Sequence, residues 1–163
     1  MKNLHWGHYL CILIVFFLAV VLQVLPWPQG WQGARPAWLV LAVMYWILVL
    51  PDKINIGTAF VIGIVWDLVT GSVLGVHAMV LVIFAYFIRI KYMMLRNLSL
   101  WFQSILVIFF VMFIRLGLFV IEYILYHNVT FDPHCLYGAL LSGILWPWLV
   151  LLLRSVRYRI RLY

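Results

Sequence analysis

The chain is constrained most by one apolar run of 35 residues, 54–88, in which Asp67 is the only residue with a formal charge. A single helix of that length would extend about 52 Å at 1.5 Å per residue, whereas the hydrocarbon core of a bilayer is about 30 Å thick. Only 9% of the chain is charged and 68% is hydrophobic, which leaves too few polar side chains to cover a soluble domain. The run therefore predicts two membrane-spanning helices joined by a turn.

The rest of the chain divides into apolar segments of span length, separated by short polar or proline-containing loops. The predicted fold is an all-α integral membrane protein, a single domain over residues 1–163. Its six transmembrane helices are expected at about 9–25, 37–50, 55–70, 74–89, 101–126 and 135–153. Residues 154–163 are expected to form a basic tail. The first segment is expected to be an uncleaved anchor, because no small-residue cleavage site follows it.

The basic residues are distributed unequally between the two sides that six spans would create. Both termini then lie on one side, and Arg35 is the only lysine or arginine in the loops of the other side. The positive-inside rule therefore places both termini in the cytoplasm. The nine basic residues on that side are Lys2, Lys53, Arg89, Lys91, Arg96, Arg154, Arg157, Arg159 and Arg161.

The formal net charge of +7 comes largely from these juxtamembrane residues and does not indicate a nucleic-acid partner. Each basic side chain near the membrane surface gains about 1 kcal/mol from anionic lipid. We therefore expect anionic lipid or a cytoplasmic protein to contact Arg89, Lys91, Arg96, Arg154, Arg157, Arg159 and Arg161.

A stripe of small residues surrounds the one charge in the long apolar run. Gly63, Asp67 and Gly71 are spaced by four, which places them along one face of a helix, and Gly75 ends the predicted external turn 71–75. Small residues allow a second helix to pack closely, and a carboxylate among them faces protein rather than lipid. His77 follows the turn and is expected to be a local hydrogen-bond partner.

Two further charges, Arg115 and Glu122, lie seven residues apart in the fifth predicted span and share a helix face. An ion pair between Arg115 and either Glu122 or Asp67 would offset much of the cost of burying these charges. Three interpretations stay open for the trio: a structural ion-pair cluster, a pathway for substrate or protons, and a docking surface for a partner's transmembrane helix.

No set of residues typical of catalysis is apparent, and we expect no enzyme activity, no cofactor and no metal. Four candidate metal ligands lie near the last external loop without the spacing of a known zinc site, and an ordinary polar loop is the expectation. They are His127, Asp132, His134 and Cys135. Two cysteines, Cys11 and Cys135, are too few for a disulfide framework, and unpaired thiols are expected.

Five stretches resemble, in order along the chain, the bacterial rod shape-determining protein family MreD. The more specific features are the pattern Asp67-x3-Gly71-x3-Gly75 and the W-P-W in the last predicted span, whereas the segment with Arg115 and Glu122 resembles the family least. The stretches are LQVLPWP (22–28), RPAWLVLAVMYWILVLP (35–51), NIGTAFVIGIVWDLVTGSVLGVHAM (55–79), KYMMLRNLSLWFQ (91–103) and GILWPWLVLLLR (143–154).

The resemblance implies a non-catalytic inner-membrane scaffold or regulator of the complex that builds lateral-wall peptidoglycan in rod-shaped bacteria. It implies direct contact with MreC, and a shared complex with the actin-like protein MreB, an elongation-specific polymerase and a penicillin-binding transpeptidase. A homodimer stays open.

It also implies a fold similar to that of the substrate-binding subunits of energy-coupling-factor transporters. The alternative function is therefore a small-molecule or lipid-binding membrane subunit, with an outward pocket near Asp67, the 71–75 turn and Glu122. Such a pocket normally presents several convergent polar groups, and few are apparent in the sequence.

Overall fold

The computed structural model describes the backbone of residues 3–159 and the side chains of residues 6–31 and 33–159. Within this range the chain is helical, and the predicted all-α fold is confirmed. A 3₁₀ turn, Gln32–Ala34, precedes the second helix. The α-helices are α1 (Asn3–Val24), α2 (Trp38–Val49), α3 (Ile56–Thr70), α4 (Val76–Ile90), α5 (Tyr92–Asn97), α6 (Leu100–Tyr126) and α7 (Cys135–Arg159).

Three helices of the described chain are long and apolar enough to cross a membrane: α1 over Trp6–Val24, α6 and α7. The apolar helices α2, α3 and α4 are shorter, with 12, 15 and 15 residues. Fifteen residues extend only about 22 Å, which is less than the roughly 30 Å of hydrocarbon. The three long helices indicate a membrane protein, whereas the six-span topology stays a prediction.

Two local features differ from what the sequence indicated. The helix α5 occupies part of the basic segment between α4 and α6, where the sequence predicts no helix, and Lys91 separates it from α4 with non-helical angles (φ −108°, ψ 14°). The last helix continues through Arg159, so that much of the expected tail is helical. Basic side chains in a last helical turn interact favourably with the helix dipole. Arg161 lies outside the described residues.

The helix α2 lies at the centre of the bundle. Its residues Leu39–Leu48 are all buried, and it contacts α1, α4, α5 and α7. A helix surrounded by other helices has no polar face, which explains why its sequence, WLVLAVMYWILV, is apolar throughout. Trp46 of α2 and Trp146 of α7 are the largest side chains that are fully buried.

The helices α3 and α4 form the most extensive pair in the bundle. A Cβ atom on Gly63 would overlap the Cα atom of Ala78, so the two backbones touch at this position. A similar approach joins α6 and α7, where a Cβ on Gly143 would overlap the side chain of Ile108. These small residues therefore fix the spacing of helices within the chain itself.

Candidate functional site

The connecting segments of the chain lie at two opposite ends of the bundle. We call the end that contains residues 26–37, 71–75 and 127–134 the turn end, and the end that contains residues 50–55 and 91–99 the basic end. Each end has a cavity lined by residues from several helices. The residues singled out in the sequence are divided between these two ends.

The Asp67 carboxylate is fully buried inside the turn between α3 and α4. Its Oδ1 accepts hydrogen bonds from the Ser72 hydroxyl at 2.9 Å and from the His77 backbone N–H at 3.1 Å, and its Oδ2 accepts from the Gly75 N–H at 2.8 Å. The Nδ1 atom of His77 lies 2.6 Å from Oδ1. Because an ionised carboxylate only accepts hydrogen bonds, this nitrogen carries the proton. The expectation that His77 is a local partner is confirmed.

The glycines of the turn have a conformational role that differs from that of Gly63. Gly71 ends α3 with φ 68°, and Gly75 precedes α4 with φ 98°. Both angles lie in the left-handed region that glycine adopts without penalty. The spacing of Asp67, Gly71 and Gly75 therefore encodes a tight helical hairpin whose turn wraps around the carboxylate. The Trp66 ring packs on the His77 ring, with centroids 4.4 Å apart.

Two of the three residues of the stripe, Gly63 and Asp67, are thus used within the chain, whereas Gly71 is exposed. Ala78 of α4 covers Gly63, and the atoms of the turn cover Asp67. Gly63 and Asp67 are therefore not available to the transmembrane helix of a partner.

Arg115 does not form the expected ion pair. Its guanidinium donates to the backbone carbonyls of Gly33 and Arg35, in the segment that links α1 to α2. Within the described part of the chain, no carboxylate lies within ion-pair distance of Arg115. Gly138 of α7 leaves room for this guanidinium, because a Cβ atom at Gly138 would overlap it. Arg115 therefore fastens the 26–37 segment to α6.

Glu122 is half-buried and faces the cavity at the turn end. None of the residues described donates a hydrogen bond to its carboxylate or forms an ion pair with it. The three charged residues therefore lie near the turn end of the bundle and do not pair with each other.

The loop after α6 holds a separate local pair. The Asp132 carboxylate accepts from the backbone N–H of His134 at 2.9 Å, and the Nδ1 atom of His134 lies 2.8 Å away. These two bonds lower the pKa of Asp132 below its usual range. No three His, Cys, Asp or Glu side chains among the described residues form a group that could hold a metal ion.

The cavity at the turn end has a volume of about 450 Å³ and is more polar than the sequence indicated. Sequence reasoning missed two of its residues as site candidates, Gln23 and Arg35. Gln23 is 7% exposed, and its Oε1 atom has no partner among the described residues. Burial and the nearby charge of Arg115 lower the pKa of Arg35. The sequence does single out Arg35 in one respect, since it is the only basic residue in the predicted external loops. The polar lining consists of Gln23, Arg35, His77, Arg115, Glu122, Thr130 and Asp132.

The remaining arginines that the structure describes lie at the basic end. Arg89 donates to the Pro51 carbonyl at 3.2 Å, and Lys91 is exposed. A second cavity, of about 710 Å³, brings together Arg96, Arg154 and Arg157. Arg159 is exposed at the end of α7.

The described chain is an all-helical bundle in which three helices are long and apolar enough to span a membrane. Its charged side chains at the turn end bind the chain's own turns and loops. These features are those of an integral helical membrane protein. The family model described as rod shape-determining protein MreD matches residues 5–156. A rod shape-determining protein MreD of Haemophilus influenzae is 50% identical over 152 residues, which cover 93% of each chain. No solved structure gives a significant match. The chain belongs to the rod shape-determining protein MreD family, as the sequence motifs predicted.

Proposed function

We propose that this chain is a non-catalytic scaffold or regulator of lateral peptidoglycan synthesis in the inner membrane of a rod-shaped bacterium, and that it acts with MreC. Membership of a family named for rod-shape determination is the observation that carries the proposal. We infer that MreB, the elongation-specific polymerase and the penicillin-binding transpeptidase belong to the same complex.

The architecture supports a role in assembly rather than in catalysis. Nearly all described residues lie in helices or short connections, so little of the chain extends beyond the bundle. Contacts with partners then depend on helix packing in the bilayer and on the loops at its two surfaces. The charged groups at the turn end bind backbone atoms of the turn and loop segments, which favours a fixed surface shape over a reacting centre.

We further propose that the basic end lies in the cytoplasm and that the three short apolar helices α2, α3 and α4 cross the membrane as the three long ones do. The distribution of lysine and arginine supports this orientation. Short helices such as α3 and α4 would then place the turn 71–75 below the membrane surface. That depth is tolerated where protein satisfies the polar backbone groups, and the Asp67 carboxylate does so for Gly75 and His77.

The experiment is depletion of the protein in a rod-shaped bacterium that encodes it, with cell width followed by microscopy. Wild type and Asp52→Asn, which changes an exposed carboxylate at the basic end, are expected to restore rods. Asp67→Ala is expected to insert into the membrane, with a weakened turn 71–75, and to leave cells round. If depleted cells stay rod-shaped, the proposal is wrong. If Asp67→Ala fails to accumulate, Asp67 serves only the fold.

The second candidate is a small-molecule or lipid-binding subunit, and the cavity at the turn end favours it. Two guanidiniums face this cavity, and both the Gln23 Oε1 atom and the Arg35 Nε atom have no partner in the described chain. Such groups suit a ligand with an anionic group and a hydrogen-bond donor. Native mass spectrometry of the purified chain tests this function. An adduct retained in Lys91→Gln and lost in Arg35→Gln would support it, and a chain without an adduct would contradict it.

A further inference from the structure

We propose that the cavity at the basic end binds the phosphate-bearing headgroup of an anionic membrane phospholipid. This cavity lies between the last turn of α2, the first turns of α6 and the last turns of α7. The proposal does not depend on contact with MreC or on the function of the cavity at the turn end.

The charge of the cavity has a single sign. Arg96, Arg154 and Arg157 line it, and none of the four acidic residues of the chain does. The guanidiniums of these three residues form no ion pair or hydrogen bond with the residues that the structure describes. Arginine is the residue best suited to phosphate, because its planar fork donates two parallel hydrogen bonds.

Arg157 gives the most specific indication of a missing acceptor. It is half-buried, its Nε atom is buried without a partner, and its guanidinium carbon lies 5.9 Å from the centre of the Tyr158 ring. A buried donor without an acceptor is costly. A phosphate in the cavity would compensate the three positive charges, and a rotation of the Arg157 side chain would bring its Nε–H to a phosphate oxygen.

Two neutral polar groups in the lining, the Gln103 amide and the Trp146 indole, are already satisfied by the protein. The amide nitrogen of Gln103 donates to the carbonyls of Leu95 and Leu98 at 2.9 and 3.2 Å, and its Oε1 accepts from the Trp146 indole at 3.1 Å. A ligand would therefore interact with the arginines rather than with Gln103. The first turn of α6 adds backbone N–H groups, since the Ser99 side chain does not cap this helix.

The surroundings of the cavity indicate a lipid rather than a soluble phosphate. Most of the remaining lining is aliphatic: Leu48, Val49, Leu50, Leu98, Leu100 and Val150. Trp101, in the first turn of α6, is 81% exposed, and exposed tryptophans are typical of the headgroup region of a bilayer. Basic pockets between helices at this depth on the cytoplasmic side suit anionic headgroups.

The test uses the purified full chain in dodecyl maltoside, with thermal unfolding followed as lipid is added. Phosphatidylglycerol is expected to raise the Tm in a saturable manner, whereas phosphatidylcholine and sodium phosphate at matched ionic strength are not. Arg157→Gln is expected to weaken binding of phosphatidylglycerol about tenfold, which is the effect of losing one charged hydrogen-bonding group. Arg154 is exposed and forms no hydrogen bond or ion pair with the described residues, so Arg154→Gln provides a second variant if Arg157→Gln does not fold.

Lys53→Gln is the matched control, because it removes one exposed positive charge at the basic end that lies outside the cavity. It is expected to bind phosphatidylglycerol as wild type does. Equal stabilisation by phosphatidylcholine, or an equal loss of binding in Lys53→Gln, would overturn the proposal. Stabilisation by sodium phosphate equal to that by phosphatidylglycerol would overturn the assignment to a lipid and indicate a soluble phosphate compound.

Discussion

Charged side chains have different surroundings at the two ends of the bundle. At the turn end, the Asp67 carboxylate accepts from the turn 71–77, and Arg115 donates to two carbonyls of the 26–37 segment. At the basic end, Arg96, Arg154 and Arg157 face a cavity without an acidic residue in its lining. Buried charges are retained where backbone groups compensate them, whereas charges near a surface are available to other molecules. We therefore predict that the charged residues of the turn end stabilise the fold, whereas the arginines of the basic end bind other molecules.

The largest effect on stability is expected for Asp67→Ala. The change leaves the backbone N–H groups of Gly75 and His77 without their acceptor and removes the partner of the His77 ring. Removing one member of a buried charged network costs about 3–5 kcal/mol. The free energy of unfolding in detergent, measured by denaturant titration, would show the loss. A decrease no greater than that of Asp52→Asn would contradict the role given to the turn.

Arg115→Gln is expected to have the next largest effect, because the shorter side chain does not reach both the Gly33 and Arg35 carbonyls. Leaving buried acceptors unpaired costs about 1–3 kcal/mol. Hydrogen exchange should increase in residues 26–37 and stay unchanged in the turn 71–75. Faster exchange in both segments would show that the two charged sites are not independent.

Gly63→Ala tests packing without a change of charge. The added methyl group would overlap the Ala78 backbone, and forcing such helices apart costs about 1–3 kcal/mol. Gly117→Ala is the matched control, since its Cβ would meet only Val80 methyl groups at 4.0 Å. The Tm is expected to fall for Gly63→Ala and to stay the same or rise for Gly117→Ala. A decrease of equal size in both variants would contradict the close approach of α3 and α4.

The smallest effect is expected at the basic end. Arg154→Gln removes an exposed side chain that forms no hydrogen bond or ion pair with the described residues, and such substitutions usually change stability by no more than about 0.5 kcal/mol. Its Tm in detergent without lipid should equal that of wild type. A large decrease would show that the arginines of the basic end also hold the fold, and the contrast between the two ends would be lost.

Local pattern was sufficient to predict much of the α3–α4 hairpin. The length of the apolar run required a reversal, and Gly71 and Gly75 marked where it occurs. His77 lies close enough in sequence for its contact with Asp67 to be expected. The partners of Arg115 could not be found in this way, because Gly33 and Arg35 lie about 80 residues away and contribute backbone carbonyls, which every residue has. The helix α5 was missed because basic residues alone do not distinguish a loop from a short interfacial helix.

The sequence by itself determined the class of protein, the family and the positions of the long apolar segments. These follow from composition, from segment length and from motifs that are local in the chain. The tertiary structure decided that α2 is the buried centre, that the small-residue face of α3 is covered by α4, and that Gln23 joins Arg35 and Arg115 at one cavity. The physical reason is that membrane lipid and protein core are equally apolar, so hydropathy cannot distinguish a face that meets lipid from one that meets another helix.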